Sequence, residues 1–181
     1  MRKQSIDETK LIEVGKTIIH TGGIEAINMR SIAEYCNISL GSIYNYYKNK
    51  DELLLSLVKS IWLEILDEKG IETTSFIETV SLLFESIEKG NCKYPNFIKI
   101  HFISFNNKKE SRVVMEEIVT NIKSLLLVAL KNDNKLKNIF DESFNEKEFV
   151  DFIFENMMML LLKNERKDYL LKLVNKVLYE S

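Results

Sequence analysis

Apolar residues recur at steps of three and four along nearly the whole chain, and no segment shows convincing two-residue alternation. The 181 residues contain one proline and six glycines, which leaves little of the punctuation that many strands and turns need. Hydrophobic residues make up 45% of the chain and charged residues 29%, a balance that supplies a core and excludes an intrinsically disordered chain. The sequence therefore predicts an all-α protein of about nine helices.

Helix start signals recur along the chain as a polar residue followed three positions later by Glu, the pattern of a capping box. The five candidate caps are Ser5, Asn49, Ser75, Asn107 and Asn145. Gly22-Gly23, Gly70 and Gly90 are expected to end helices. The predicted helices span residues 5–21, 29–36, 40–47, 50–68, 75–89, 94–106, 109–131, 146–163 and 166–179.

Charge and cysteine content narrow the class of protein. Residues 1–50 carry seven Lys or Arg and five Asp or Glu, a net charge of +2, whereas the rest of the chain carries −4. A weakly basic start on an acidic body permits a small DNA-contacting face.

Cys36 and Cys92 lack a paired spacing, so neither a disulfide framework nor a metal site is predicted. The longest apolar run, Met157–Leu162, is too short to span a membrane. We expect a cytoplasmic protein with no cofactor, signal peptide or membrane contact.

Residues 29–47 contain two short predicted helices separated by Asn37-Ile38-Ser39. Asn37 suits a left-handed position after the first helix, and Ser39 can cap the second. Ala33 is small, as a close helix crossing requires. This order is typical of a helix-turn-helix. The second helix is too short to be stable alone, so it must pack against the first helix and against the long helix after Asn49.

The second of these helices carries a run of small and polar residues that suit phosphate oxygens and base edges. They are Gly41, Ser42, Tyr44, Asn45 and Tyr46. Ile43 and Tyr47 lie four apart and are expected to face inward. From the residues alone, Tyr44 and Tyr46 have an alternative, which is to bury their rings in a tyrosine-rich core.

A longer pattern surrounds this segment between Leu11 and Leu53. Ile32-Ala33 is followed after five residues by a stretch that begins at Ser39 and matches S-x-G-x-[LI]-Y-x-[HY]-F-x-x-K-x-x-L at nearly every position. This region resembles the N-terminal domain of the TetR family of bacterial transcriptional regulators. The differences are Asn37 where the family often has glycine, Leu40 where a polar or basic residue is frequent, and Tyr47 in place of Phe.

The resemblance implies that the partner is double-stranded DNA with a pseudo-palindromic operator. The residues implied in DNA binding are Arg30, Ser39, Leu40, Gly41, Ser42, Tyr44, Asn45, Tyr46 and Lys50. Ser39 would begin the recognition helix in the major groove, with Leu40 and Ser42 near the bases and Arg30 as a guanine reader. The side chains implied in holding the phosphate backbone are Tyr44, Tyr46 and Lys50. Asn45 could face either the bases or the backbone.

The resemblance also implies three regions: a DNA-binding domain at 1–49, a connecting helix at 50–69, and a helical ligand-binding and dimerisation domain at 70–181. Because the body is rich in aromatic and long apolar side chains, the effector is expected to be a hydrophobic or amphipathic small molecule. The candidate ligand-binding residues are Trp62, Phe84, Phe97, His101, Phe105 and Met157. The residues alone leave open a surface or core role for His101 and core packing for Met157.

The last two predicted helices carry broad apolar stripes that exceed the needs of a single core face. The resemblance implies that they pack against their copies in a homodimer, although an ordinary core is the alternative. The candidate interface residues are Phe149, Phe152, Ile153, Leu160, Leu170, Val174 and Val177.

The resemblance implies a repressor that a ligand releases from its operator. The sequence contains no HExxH, Walker loop, nucleophile elbow or glycine-rich dinucleotide turn, so we expect no enzyme. A helical dimeric adaptor is the alternative. An adaptor would account for the apolar stripes of the last two predicted helices. It would not account for the polar side chains of Ser42, Tyr44 and Asn45.

Overall fold

The computed structural model describes residues 7–67, 74–99 and 109–180, with side chains from residue 112 onward in the last range. Its regular elements are α1 (Glu8–Gly22), a 3-10 helix (Ile24–Ala26), α2 (Met29–Tyr35), α3 (Leu40–Ile43), α4 (Lys50–Leu66), α5 (Phe76–Lys93), α6 (Lys109–Asn132), α7 (Glu146–Lys163) and α8 (Asp168–Leu178). Residues 97–99 are also helical. The prediction of an all-α fold is confirmed, since these residues contain no strand beyond one isolated bridge between Asp141 and Phe144.

The chain forms two compact units. Among the described residues, the first unit contains those up to Glu64 and those between Gly90 and Val114. The second unit contains Ile65–Lys89 and the residues from Met115 onward. The segment after Gly90 thus folds with the N-terminal helices, although it lies well past them in the sequence.

Aliphatic side chains from α1 to α4 and the segments between them form the core of the first unit. Its fully buried side chains include Leu11, Ile19, Ile24, Ile27, Ile32, Ile43, Leu53 and Leu57. Gly15 on α1 lies so close to α4 that an added Cβ would be 2.4 Å from Leu57 Cδ2. The absence of a side chain at Gly15 therefore allows the two helices to approach closely.

Several predicted helix ends are confirmed. Gly23 ends α1 with a φ of 73°. The predicted capping box of α7 is present, with Asn145 Oδ1 accepting from Glu148 N at 3.1 Å and Glu148 Oε2 accepting from Asn145 N at 3.1 Å. Before α4, one half of the predicted capping box is present, since Asn49 Oδ1 accepts from Glu52 N at 3.0 Å. The other half is shifted by one residue, because the Glu52 carboxylate accepts from Lys48 N at 2.6 Å.

Other predicted ends are wrong. Helix α1 begins at Glu8, where the Asp7 carboxylate accepts from Thr9 N at 3.4 Å, and the predicted cap Ser5 lies outside the described residues. Gly90 lies within α5, because helical hydrogen bonding continues past it and Tyr94 N donates to its carbonyl at 2.8 Å. Gly70 and Asn107 lie outside the described residues.

Helix α5 begins with a cap from a distant part of the second unit. Ser75 directly precedes α5, where the sequence predicted a helix start, and its carbonyl accepts from Thr79 N at 3.0 Å. In addition, Phe76 N donates to Asp133 Oδ2 at 2.9 Å, across 57 positions of sequence. The same carboxylate accepts from the Tyr179 hydroxyl at 2.5 Å and from Lys135 N at 3.0 Å. The buried Asp133 therefore connects the start of α5 to the ends of α6 and α8.

Aromatic and aliphatic side chains of α5 to α8 fill the core of the second unit. Phe76 and Phe149 have their ring centroids 5.8 Å apart. None of the helices described in the chain is long and apolar enough to cross a membrane. Within the described ranges, no cluster of three or more His, Cys, Asp or Glu could hold a metal ion.

Candidate DNA-binding surface

Local hydrogen bonds shape the turn between α2 and α3. Asn28 begins α2, with its Oδ1 accepting from Ser31 N at 2.8 Å. After α2, Asn37 adopts a φ of 53°, the left-handed conformation that the sequence predicted. Ser39 then caps α3 as predicted, with its Oγ accepting from Ser42 N at 3.1 Å. These contacts produce the helix-turn-helix that the spacing indicated.

The inward face of this motif anchors α3 to the rest of the unit. Ala33, Ile43 and Tyr47 are buried, as predicted for Ile43 and Tyr47. The Tyr47 hydroxyl donates to Glu8 Oε1 on α1 at 3.1 Å. Burial, followed by the nearby Glu8 carboxylate, raises the pKa of Tyr47 well above its usual range. Tyr47 therefore stays protonated and connects the residues after α3 to α1.

The outward face presents polar groups without charge. Tyr44 is 52% exposed and Tyr46 is 39% exposed, so neither ring lies in the core. Ser39, Gly41 and Asn45 are also exposed. Beyond its chain neighbours, a Cβ added at Gly41 would meet only Ser39 Oγ, at 3.8 Å, so the backbone here is open to close approach.

The remaining candidates for DNA contact surround this face. Leu40 and Ser42 are half-buried, and the hydroxyl oxygens of Ser39 and Ser42 lie 2.8 Å apart. Arg30 on α2 and Lys50 at the start of α4 are exposed, as is Lys48. The structure thus places all nine candidates on the helix-turn-helix or at the start of the next helix, with at least part of each residue accessible.

Sequence analysis missed one prominent residue of this region. Tyr35, the last residue of α2, is 67% exposed. Its position at the end of α2, just before the turn, was the available signal.

The candidate ligand-binding residues divide between the two units. Trp62 and Phe97 are fully buried in the first unit, with ring centroids 5.1 Å apart. Phe84 and Met157 are buried in the second unit. His101 and Phe105 lie outside the described residues. Trp62 and Phe97 are therefore in direct contact.

A cleft of about 360 Å³ lies in the second unit beside α5 and α6. Its lining residues are Thr74, Thr79, Ser124, Leu125, Val128, Ala129 and Asn132. None of the four candidate ligand-binding residues that the structure describes lines it.

The candidate interface residues on α7 and α8 lie mostly inside the chain. Five of them are buried by the second unit itself, namely Phe149, Ile153, Leu160, Leu170 and Val174. Val177 is half-buried, and Phe152 is 48% exposed. The apolar side chains that these two helices leave at the surface are Phe152, Met159, Tyr169 and Leu173. Most of the candidate interface residues on α7 and α8 thus pack in the core of the second unit. The exposed apolar side chains of the two helices form an uncovered apolar surface.

A helix-turn-helix with a polar outward face, followed by further helices, defines the class of helix-turn-helix regulators. Residues 11–57 match the sequence model for bacterial regulatory proteins of the tetR family. The N-terminal part of the chain is therefore similar to the TetR family of regulators.

Two curated relatives match part of the chain. An uncharacterized HTH-type transcriptional regulator of Haemophilus influenzae is 34% identical over 68 residues, which is 36% of each chain. The HTH-type transcriptional repressor KstR of Rhodococcus jostii is 30% identical over 61 residues, 34% of this chain and 28% of that protein. The matches thus span about a third of these relatives.

Two solved structures share the fold over most of the chain. The fatty acid degradation regulator FadR from Bacillus halodurans has a TM-score of 0.65 and 19% identity, and the match covers 90% of this chain and 86% of that one. FadR from Bacillus subtilis, in complex with stearoyl-CoA, has a TM-score of 0.61 and 20% identity, with 94% and 95% covered.

Proposed function

We propose that the protein is a cytoplasmic transcriptional regulator that binds a pseudo-palindromic operator as a homodimer. The observation that carries this proposal is the outward face of α3 and of the turn after it, where Tyr44, Asn45 and Tyr46 are exposed although two of them are large aromatic residues. Exposed hydroxyl and amide groups beside Lys48 and Lys50 suit phosphate oxygens and base edges. No catalytic activity is proposed, and the relatives named above are regulators.

The first test titrates the full-length protein against a duplex from the region upstream of its own gene. A scrambled duplex of equal length is the control, and both are measured over a range of salt concentrations. Preference for the native duplex, weakening as salt rises, supports the proposal. Equal weak binding to both duplexes contradicts the proposal that the upstream region contains the operator. Selection from a randomised duplex pool then tests whether another sequence is preferred, and no enriched sequence would overturn the proposal.

Two variants separate the kinds of contact that this surface would make. Lys50→Ala should weaken binding and reduce the slope of log affinity against log salt by about 1, because one phosphate contact is lost. Tyr44→Phe removes only a neutral hydroxyl, so affinity should fall with little change in slope. Lys131→Ala, an exposed lysine on α6, is the control and should bind as the parent does. Parental affinity in both test variants would contradict the assigned surface.

The homodimer is supported by the apolar side chains that α7 and α8 leave uncovered. Phe152 and Met159 are seven positions apart on α7, and Tyr169 and Leu173 are four apart on α8, so each pair shares a helix face. In a twofold dimer, two recognition helices can lie one DNA turn apart, roughly 34–36 Å. Phe149 and Leu170, which were predicted as interface residues, are buried in the core of the second unit and would pack behind this surface.

We further propose that a hydrophobic or amphipathic effector releases the operator, so that the protein acts as a repressor. The supporting observations are the buried aromatic side chains of the body and the stearoyl-CoA bound by the structurally similar Bacillus subtilis protein. The test adds stearoyl-CoA, free coenzyme A or stearate to the protein–operator complex. Release by an acyl compound but not by coenzyme A supports the proposal, whereas retention in all three arms argues against this effector class.

A further inference from the structure

The surface that would enter the major groove contains no charge. No Lys, Arg, Asp or Glu occurs between Cys36 and Tyr47. Helix α3 lies within this stretch, and the N-terminal residues of a recognition helix are those that contact base edges. The commonest specific contact in the major groove is Arg or Lys to O6 and N7 of guanine. Helix α3 and its flanking turns therefore lack the side chains that read guanine in this way.

The groups that this surface does present match adenine and thymine. Leu40 is the first residue of α3 and remains partly exposed, so its methyl groups can meet the C5-methyl group of thymine. Asn45 is exposed, and an asparagine amide pairs with N6 and N7 of adenine. Gly41, next to Leu40 in the chain, has open space where a side chain would be, which permits the backbone to approach the base pairs closely.

The serine hydroxyls add contacts without adding a preference for guanine. Ser39 Oγ already accepts from Ser42 N, and the two hydroxyl oxygens are 2.8 Å apart. One hydroxyl hydrogen lies between the two oxygens, and the other is free to meet a base or a phosphate. Because serine can pair with any base, Leu40 and Asn45 carry the discrimination on this helix.

We infer that the recognition helix reads A·T base pairs, with Leu40 on a thymine methyl group and Asn45 on an adenine edge. The operator half-site is A·T-rich where α3 lies, and guanine is confined to base pairs that Arg30 reaches from α2. This inference depends on the proposed DNA-binding function and names the class of sequence that the surface selects.

The test begins with selection of preferred duplexes from a randomised pool by the full-length protein. Single thymines of the selected half-site are then replaced by uracil, which removes the C5-methyl group and keeps every hydrogen-bonding group. At the position that Leu40 contacts, the replacement should weaken binding about threefold to fourfold, the value of one buried methyl group. Single adenines are replaced by 7-deazaadenine, which removes the N7 acceptor.

Matched variants assign each effect to its residue. Leu40→Ala should bind the thymine and uracil duplexes equally, whereas Leu40→Met, which keeps an apolar side chain of similar reach, should retain the difference. Asn45→Ala should become insensitive to 7-deazaadenine. Arg30→Ala should keep both discriminations and lose preference only at a G·C position. Circular dichroism and thermal unfolding check that each variant is folded.

The outcomes distinguish this inference from the proposed function. If no duplex is enriched, the proposed DNA-binding function fails. If a sequence is enriched but its α3 positions are G·C-rich, or uracil replaces every thymine without effect on the parent protein, the function stands and the inference is overturned. An A·T-rich half-site with a thymine effect that Leu40→Ala abolishes supports it.

Discussion

Lys16 on α1 forms a salt bridge with Glu64 on α4, with 2.7 Å between Nζ and Oε2. The same carboxylate accepts from Lys93 Nζ at 2.6 Å and from the Tyr94 hydroxyl at 3.0 Å. Beside this cluster, His20 Nδ1 donates to the Lys93 carbonyl at 2.8 Å. Glu64 therefore joins three parts of the first unit: α1, α4 and the end of α5. Since α1 also binds Tyr47 through Glu8, this cluster supports the helices that hold α3.

Glu64→Gln should lower the free energy of unfolding at neutral pH. In acid, the difference in this free energy between the parent protein and the variant should be smaller. Burial alone raises the pKa of Glu64, but hydrogen bonds from Lys16, Lys93 and Tyr94 outweigh burial and lower it to about 2. A lowered pKa in the folded state adds stability above the unfolded-state pKa, and this contribution is lost as pH falls toward 2. Because the carboxylate is partly exposed, solvent screening reduces its contribution to about 1 kcal/mol.

The measurement for Glu64 is the free energy of unfolding of both proteins in denaturant between pH 7 and pH 3. The difference should stay constant above about pH 5 and shrink below it. Glu180→Gln is the control, since Glu180 forms an exposed ion pair with Lys176 on a single turn of helix. A difference for Glu64→Gln that does not vary with pH would show that ionisation of this carboxylate does not stabilise the fold.

Asp133→Ala should destabilise the protein by about 2–4 kcal/mol, because it leaves donors at Phe76 N and the Tyr179 hydroxyl without their acceptor. Burial alone raises the pKa of Asp133, but its hydrogen bonds lower it below the usual value, so the group is ionised at neutral pH. Asp133→Asn keeps one acceptor oxygen and should lose less stability.

Asp141→Ala is the control, since Asp141 is exposed and accepts from residues of its own turn. Thermal or denaturant unfolding measures all three, and equal losses for Asp133 and Asp141 would contradict the assigned cap.

Gly15→Ala should destabilise the first unit by about 1–3 kcal/mol, because the new methyl group would overlap the buried Leu57 side chain. The higher helix propensity of alanine offsets part of this cost. A double-mutant cycle with Leu57→Ala checks the cause. The glycine substitution should cost much less when Leu57 is already shortened, whereas additive losses would show that the two residues are not in conflict.

Phe152→Glu and Leu173→Glu should each weaken self-association, because in the proposed homodimer a charge would enter the interface. Sedimentation equilibrium over a range of concentrations measures the dimer dissociation constant. Val128→Glu on α6 is the matched control, since Val128 is also an exposed apolar residue of the second unit. Unchanged association in both test variants, with both folded, would place the dimer interface elsewhere on the chain.

Features that depend on near neighbours in sequence were predictable. The cap at Asn145, the left-handed Asn37 and the Ser39 cap each involve atoms within three or four residues, so the residue types specify them. The inward position of Ile43 and Tyr47 follows in the same way from their spacing. These local signals were sufficient to predict the helix-turn-helix.

Features that depend on distant residues were not predictable. Ser75 indicates the start of α5, but nothing near it in the sequence indicates that Phe76 N donates to Asp133, because tertiary folding brings that carboxylate to the free amide. Likewise, Gly90 looks like a helix end, yet α5 continues through it. A glycine permits a left-handed conformation but does not require one.

The sequence by itself determined the helical periodicity, the turn at Asn37 and the polar residues of α3, because each is a property of residues close together in the chain. Only the tertiary structure decided which apolar side chains of α7 and α8 are covered. Phe149 and Phe152 look equivalent in the sequence, yet the first is buried and the second exposed. The reason is physical: burial depends on which other helices pack against each face, and spacing along one helix does not specify its neighbours.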